Sequence, residues 1–347
     1  MLRFFLILKT HILKPIKYFI IDLLVFFPKN ETVFYGGCRN TTNKFRLTIK
    51  NIIQPQRILF KYRCFKHNPK VKSRLKLSEI YEDHIKTLNS QGAVIVRNFL
   101  NPAMCDDLIS KDSDDNVIET LIGGKLDDSI TRYRYPQITR DIEEYFTNDD
   151  LLNIARSYFR RDVYASTYPY FHHINPQSDS QPSKDIEALS QFNSSWHYDV
   201  PLGLVFYLLL KDLDEKGSHT KYLTGTHKLP NNHLSYDDRC LSDEYVKHQN
   251  LDVLDLFGKK GDIVIFDLNG FHKLHRVKGY NRHALVFSVS CGGRVEMNCE
   301  KMHNAMKSGF TPENLSPEKA KYISSLFPSG PHYDFSGTSF RKSINIY

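Results

Sequence analysis

The sequence predicts a mainly β protein with flanking helices, built on a double-stranded β-helix, the jelly-roll arrangement of two facing sheets. Three observations lead there. From residue 160 onward the chain is cut into short β-branched and aromatic runs separated by turn residues, the spacing of a sandwich rather than of alternating strands and helices. The helical periodicities collect mainly ahead of those runs. Two stretches dense in metal-ligating side chains, 195–199 and 267–272, set Asp199 and His272 73 positions apart, and a jelly roll brings the ends of such separated strands together inside.

In chain order, 1–28 is apolar but interrupted by Lys9, Lys14, Pro15, Lys17 and Asp22. Its longest run, 18–27, contains Asp22 and falls short of the roughly 18 uncharged residues that a spanning helix needs. No small-residue cleavage site follows, which excludes a tidy signal peptide. Two readings stand: a face of Leu, Ile and Phe in a membrane interface, or packing on the domain behind it, the second slightly favoured. Residues 29–78 are basic and irregular. No nucleic-acid motif occurs in them, so no nucleic-acid partner is expected.

The chain's net charge of +8 is uneven, with 18 Lys/Arg and 5 Asp/Glu in 1–90, leaving −5 for the remainder. Such a front end is either a solvated basic face or a contact for an acidic surface. Hydrophobic content of 41% and charged content of 25% describe a folded protein with a core rich in its 23 Phe and 20 Tyr. The six Cys form no C-x-x-C pair, which argues against a disulfide framework or a structural zinc site. Reduced thiols in the cytoplasm are the expectation, with membrane association left open. Sequons at Asn30, Asn40, Asn193 and Asn314 carry no weight without a secretion signal.

Next comes a helix over 78–88, with Ile80, Tyr81, Ile85 and Leu88 on one stripe. Gly92 breaks it, and 93–96 is a β-branched strand. Asn101-Pro102 is a cap and first-turn proline opening a helix through Leu108. After Arg132-Tyr133-Arg134-Tyr135-Pro136 a helical stretch runs to Phe159, and 164–174 reads as a strand. Residues 175–188 form a polar loop of the kind that covers active sites. His172 and His173 end the strand, and as neighbours they point to opposite faces, so at most one faces inward. Residues 202–210 are apolar on both sides and hence a central strand; 213–217 is a turn, and 220–228 another strand and turn. Residues 229–257 are a helical or loop insertion. The strand 263–267 delivers His272, and 284–289 brings Arg282 alongside.

In an extended strand His197 and Asp199 share a face while Tyr198 takes the other. A second imidazole, from His272, completes two His and one carboxylate on one side of an octahedral ion. Three positions stay open, as in non-haem Fe(II) oxygenases. A His-x-Asp triplet alone is weak, since about one is expected by chance in such a chain. His332-Tyr333-Asp334 is a second triplet, but with too few residues behind it to build another strand pair it is read as a decoy. His275 is the rival distal ligand, and His227 is read as stabilising a turn.

Together the motifs resemble the phytanoyl-CoA dioxygenase family of Fe(II)/2-oxoglutarate oxygenases, which includes ectoine hydroxylase-like enzymes. The likeness covers about 78–292. It rests on Leu-Asn-Ser-Gln-Gly-Ala-Val-Ile-Val-Arg-Asn-Phe-Leu at 88–100, on Trp196-His197-Tyr198-Asp199, and on 216–228 with Thr224 where the family has Pro. Gly261-Asp262, Phe266-Asp267 and Gly270-Phe271-His272 follow, and Arg282 stands ten residues beyond. The resemblance implies a cupin-like jelly roll using Fe(II), 2-oxoglutarate and O2. It makes His197, Asp199 and His272 the catalytic metal ligands. Arg282 becomes the anchor for the distal carboxylate of 2-oxoglutarate, with Gln191 and Tyr170 assisting. Family members that halogenate replace the carboxylate ligand with a small residue, so Asp199 favours hydroxylation.

The expected organisation is a basic, partly apolar extension over 1–77, the oxygenase domain over 78–300 and a C-terminal extension over 301–347. The expected substrate is a small molecule or a lipid- or glycan-linked intermediate. The alternatives from other classes are a catalytically inactive jelly-roll binding module and a membrane-surface adaptor using the basic front.

Overall fold

A computed structural model describes residues 79–112, 118–122, 129–136, 138–176, 195–199, 203–228, 240–277, 279–291 and 315–324, with the backbone of 34–35 and 38–39. The segment 1–28, the loop 177–188, Gln191 and the decoy His332/Asp334 lie outside the described residues. No described helix is long and apolar enough to cross a membrane.

Strands β1 (Phe34–Tyr35) and β2 (Cys38–Arg39) pair as a small hairpin. Helix α1 (Glu79–Gln91) buries Leu88 completely and ends at Gly92, whose φ of +90° and bond from its N–H to Leu88 O make a left-handed stop. Strand β3 (Ala93–Val96) follows directly. Helix α2 (Pro102–Asp112) is capped by Asn101, whose Oδ1 accepts from the Ala103 N–H at 2.9 Å, and it runs four residues beyond the expected Leu108. Strands β4 (Ile118–Ile122) and β5 (Ser129–Tyr135) form a hairpin; only the Arg/Tyr run of the second drew attention in the sequence. The helical stretch to Phe159 is two helices, α3 (Arg140–Phe146) and α4 (Asp149–Phe159). Asn148 separates them by accepting from the Asp150 and Leu151 N–H groups.

The expected strand at 164–174 is likewise two: β6 (Tyr164–Ala165) and β7 (Tyr170–Pro176). Then come β8 (Trp196–His197), β9 (Gly203–Leu209), β10 (His219–Leu223), β11 (Cys240–Leu241), α5 (Asp243–His248) and β12 (Val253–Leu256). The last elements are β13 (Ile263–Asp267), β14 (His272–His275), β15 (Arg282–Ser290) and α6 (Pro317–Ile323). The stretch 229–257 is therefore more than an insertion, since β11 and β12 are the two edges of a sheet.

Among the described residues all the strand pairs are antiparallel, and apart from the β1–β2 hairpin they fall into two large sheets. The major one is ordered β3-β13-β9-β15-β7-β5-β4, with β6 on β15; the minor one is ordered β11-β8-β14-β10-β12. Neither closes into a barrel. Burial of both faces of β9 explains why it reads as apolar almost throughout, and the same holds for 284–287 of β15. Val205, Leu209, Ala284 and Val286 pack with Tyr222 of β10 and Leu256 of β12, filling the space between the sheets. Phe206, Leu208, Leu285 and Phe287 face the other way, onto Ile142, Phe146, Leu151 and Tyr322 of the helices. The result is three layers, helices on the major sheet on the minor sheet, with α5 covering the outer face of the minor sheet through Tyr245 and Val246.

Candidate metal and cosubstrate site

Strands β8 and β14 meet at a single register pair, His197 opposite His272. Directly opposed residues share a face, and their rings lie 4.4 Å apart between centroids. Asp199 follows β8 and is tied down by its N–H donating to Leu268 O at 2.8 Å. Its Oδ1 stands 3.8 Å from His197 Nε2 and its Oδ2 3.3 Å from His272 Nε2. Cis ligands on an ion at about 2.1 Å are separated by roughly 3 Å, so the spacing suits an ion between them.

The backbone sets which nitrogen faces that point. His197 Nδ1 donates to Ser195 O at 2.8 Å and His272 Nδ1 donates to Gly270 O at 2.9 Å, since a carbonyl only accepts. With the proton on Nδ1 alone, each imidazole turns the lone pair of Nε2 toward the Asp199 carboxylate. Acceptors facing acceptors call for a cation, and the group can hold a metal ion. Both histidines are buried.

Gly270 belongs to the device. A Cβ there would run into the Tyr222 hydroxyl and ring, so the Gly-Phe-His sequence reflects a close approach of backbone to side chain. Upstream, the Asp267 carboxylate receives the Tyr158 hydroxyl at 2.5 Å and the Asn269 N–H at 2.7 Å. Burial pushes its pKa up to about 6 against those two bonds.

Arg282 opens β15, 4% exposed, on the face directed at the minor sheet. Its Nη1 donates across the interior to Thr220 Oγ1 of β10 at 2.8 Å, and its Nη2 donates to His172 Nδ1 of β7 at 2.8 Å. The guanidinium carbon lies 4.9 Å from the centre of the Tyr207 ring. None of these three contacts carries negative charge, so they orient the fork without neutralising it. Burial and the neighbouring arginine hold His172 neutral, with its pKa well below the usual value.

A row of rings joins the two halves. His272 and Phe266 are 4.9 Å apart, and Phe266 stacks on Tyr207 at 5.7 Å. Burial raises the pKa of the Tyr207 hydroxyl, with Arg282 opposing the shift and the Asp199 charge adding to it.

Of the sequence-predicted residues, His197, Asp199 and His272 come together, with Arg282 beyond Tyr207. Tyr170 shares the face of β7 with His172 and packs on Tyr135 at 5.5 Å. His275 pairs with His219, three residues from His272 and so on the opposite face of β14, away from the cluster. His227 sits in a short 3-10 turn, its Nε2 donating to Asn89 O at 3.2 Å. The sequence reading missed Thr220 and Tyr207. Thr220 lies in the 216–228 motif, and Tyr207 is the only residue of the 202–210 run with a polar tip.

No family model and no curated protein matches the chain. Among solved structures, the epimerase SnoN in complex with Fe3+, alpha ketoglutarate and nogalamycin RO is 10% identical, with a TM-score of 0.46 over 60% of this chain and 83% of its own. The non-heme alpha ketoglutarate dependent carbocyclase SnoK from nogalamycin biosynthesis is 12% identical, TM-score 0.45, over 67% and 93%. EctD from S. alaskensis with bound Fe is 12% identical, TM-score 0.42, over 63% and 78%. At that depth of likeness the chemistry has to be read from this chain's own residues.

Proposed function

We propose that this protein is an Fe(II)- and 2-oxoglutarate-dependent dioxygenase that hydroxylates a small-molecule or lipid- or glycan-linked substrate. The observation that carries the reading is that His197, Asp199 and His272 bring three ligand atoms within 4.8 Å of one another, while Arg282 lies buried on the face of the major sheet directed at the minor sheet. His197, Asp199 and His272 would hold the ion on one face, leaving open positions for a chelating cosubstrate. Arg282 would take the distal carboxylate of 2-oxoglutarate, for which its planar fork and permanent charge are suited. When bound, iron and 2-oxoglutarate supply O2 activation: the oxoacid loses CO2 to give succinate, and the second oxygen atom enters the substrate as hydroxyl.

The chain's own residues bind and orient. The carbonyls of Ser195 and Gly270 keep protons on the Nδ1 atoms, leaving each Nε2 as a ligand. His172 and Thr220 aim the arginine fork, while Phe266 and Tyr207 keep the wall between the two ends dry. Tyr170 would line the cosubstrate end beside His172. Gln191, outside the described residues, would assist by resemblance alone. The motif likeness to the phytanoyl-CoA dioxygenase family supports the same assignment.

Anaerobic titration with Fe(II) and 2-oxoglutarate tests it. A weak visible charge-transfer band is expected in wild type, abolished in His197→Ala and weakened in Arg282→Ala. Absence of the band from folded, metal-loaded wild type would overturn the assignment and leave the binding-module reading. The basic front suggests an acidic or lipid-linked substrate, and unchanged activity after removal of 1–75 would count against that.

A further inference from the structure

The strand pair that presents Arg282 to the interior presents a second set of metal-ligating groups to its other side. In β7 and β15, His172 and Arg282 face the minor sheet. Their chain neighbours His173 and His283, which are register partners, face the helices. Their rings lie 4.0 Å apart between centroids. The helical layer brings Asp112, the last residue of α2, 3% exposed, against both of them.

The geometry points to a second divalent metal site here, made by Asp112, His173 and His283, for an ion of the Zn(II) class. The three ligand atoms lie within 4.8 Å of one another. His173 Nε2 is in close contact with Asp112 Oδ2, and His283 Nε2 stands 3.0 Å from the same oxygen. His283 Nε2 is a buried ring nitrogen on a side chain 6% exposed and aimed into the cluster.

A carboxylate and two imidazole nitrogens make a borderline N2O donor set that suits Zn(II) or Co(II) and leaves coordination positions for water. The water and the ion have an approach, because the His173 side chain is 28% exposed. An ion there would fasten α2 to the β7–β15 pair directly behind Arg282 and His172.

The test uses the full-length chain, stripped of metal and titrated with Co(II) alone. In a His197→Ala/His272→Ala background, which removes the first ligand set, one equivalent of Co(II) with a visible d–d band is expected. Adding His173→Gln, at the most exposed of the three ligands, should remove both band and binding while leaving the far-UV circular dichroism unchanged. No binding by the folded background variant, or an undiminished equivalent after His173→Gln, overturns the proposal. Should the background variant fail to fold, stoichiometry in otherwise wild-type protein decides: His173→Gln must lower it by one equivalent. A fall from two to one supports both sites. A fall from one to none supports this site while the first fails, and no fall overturns this one.

Discussion

His172 Nδ1 accepts a hydrogen bond of 2.8 Å from Arg282 Nη2, although the two residues are 110 positions apart. An arginine only donates, so the bond requires the Nδ1 lone pair and places the ring proton on Nε2. The imidazole is kept neutral by burial and by the cation it holds. If Arg282 holds 2-oxoglutarate as proposed, His172 would act on that end through the arginine, as a positioning residue.

Replacing His172 by Ala should therefore weaken 2-oxoglutarate binding while leaving Fe(II) binding in place. A hydrogen bond to a charged group contributes about 1.5–3 kcal/mol, so the dissociation constant should rise roughly 10- to 100-fold. Titration of the charge-transfer band against 2-oxoglutarate at saturating Fe(II) measures it. An unchanged constant would show that Thr220 and Tyr207 suffice to orient the fork.

Gly270→Ala should disturb the metal ligands without unfolding the protein. The added Cβ meets the Tyr222 ring, and relief of that clash displaces either Tyr222 or the carbonyl that orients His272. Losing such support to a ligand typically costs 10- to 100-fold in metal affinity. Fe(II) affinity should fall by that order while the far-UV spectrum is kept.

Asp267 gives a pH dependence whose sign is set by its raised pKa of about 6. A group that binds its proton more tightly folded than unfolded adds stability below its unfolded pKa and loses it as pH rises through about 6. Over that window the contribution is on the order of 3 kcal/mol. Asp267→Asn, which does not titrate, should flatten the slope. In metal-free protein, urea unfolding at pH 4.5 and pH 7 should show the variant at a larger disadvantage at the lower pH.

Phe287 faces the helices from β15, fully buried, stacked on Phe206 at 4.8 Å and edge-on to Phe146 at 5.2 Å. Truncation to Ala leaves a cavity there and should cost about 3–5 kcal/mol. Because the ring lies on the face of the major sheet away from Arg282, the urea midpoint should fall while cosubstrate affinity in the folded fraction stays constant.

Much of the scaffold was legible because it is written in local periodicity. Burial on both faces of β9 and of 284–287 in β15 needs apolar runs, and those runs marked the strands. The β13 boundary at Asp267 and the turn at Gly92 coincide with the residues that predicted them. Elements too short for a period were not visible: β11 has two residues, and β12 is four residues long with its first side chain exposed. Their place at the edges of the minor sheet is decided by partners far along the chain.

The same division runs through the sites. By itself the sequence placed His197 and Asp199 on one face, split His172 and His173 to opposite faces, and set Arg282 beside the strand read at 284–289, which in the structure begins at Arg282 itself. Side-chain alternation is a property of neighbours, and neighbours are given. Which groups stand opposite was decided only by the tertiary structure: Thr220 and His172 on Arg282, and Asp112 between His173 and His283. Those partners lie 62, 110, 61 and 171 residues apart, and contacts over such separations follow from how layers pack, which no local pattern encodes.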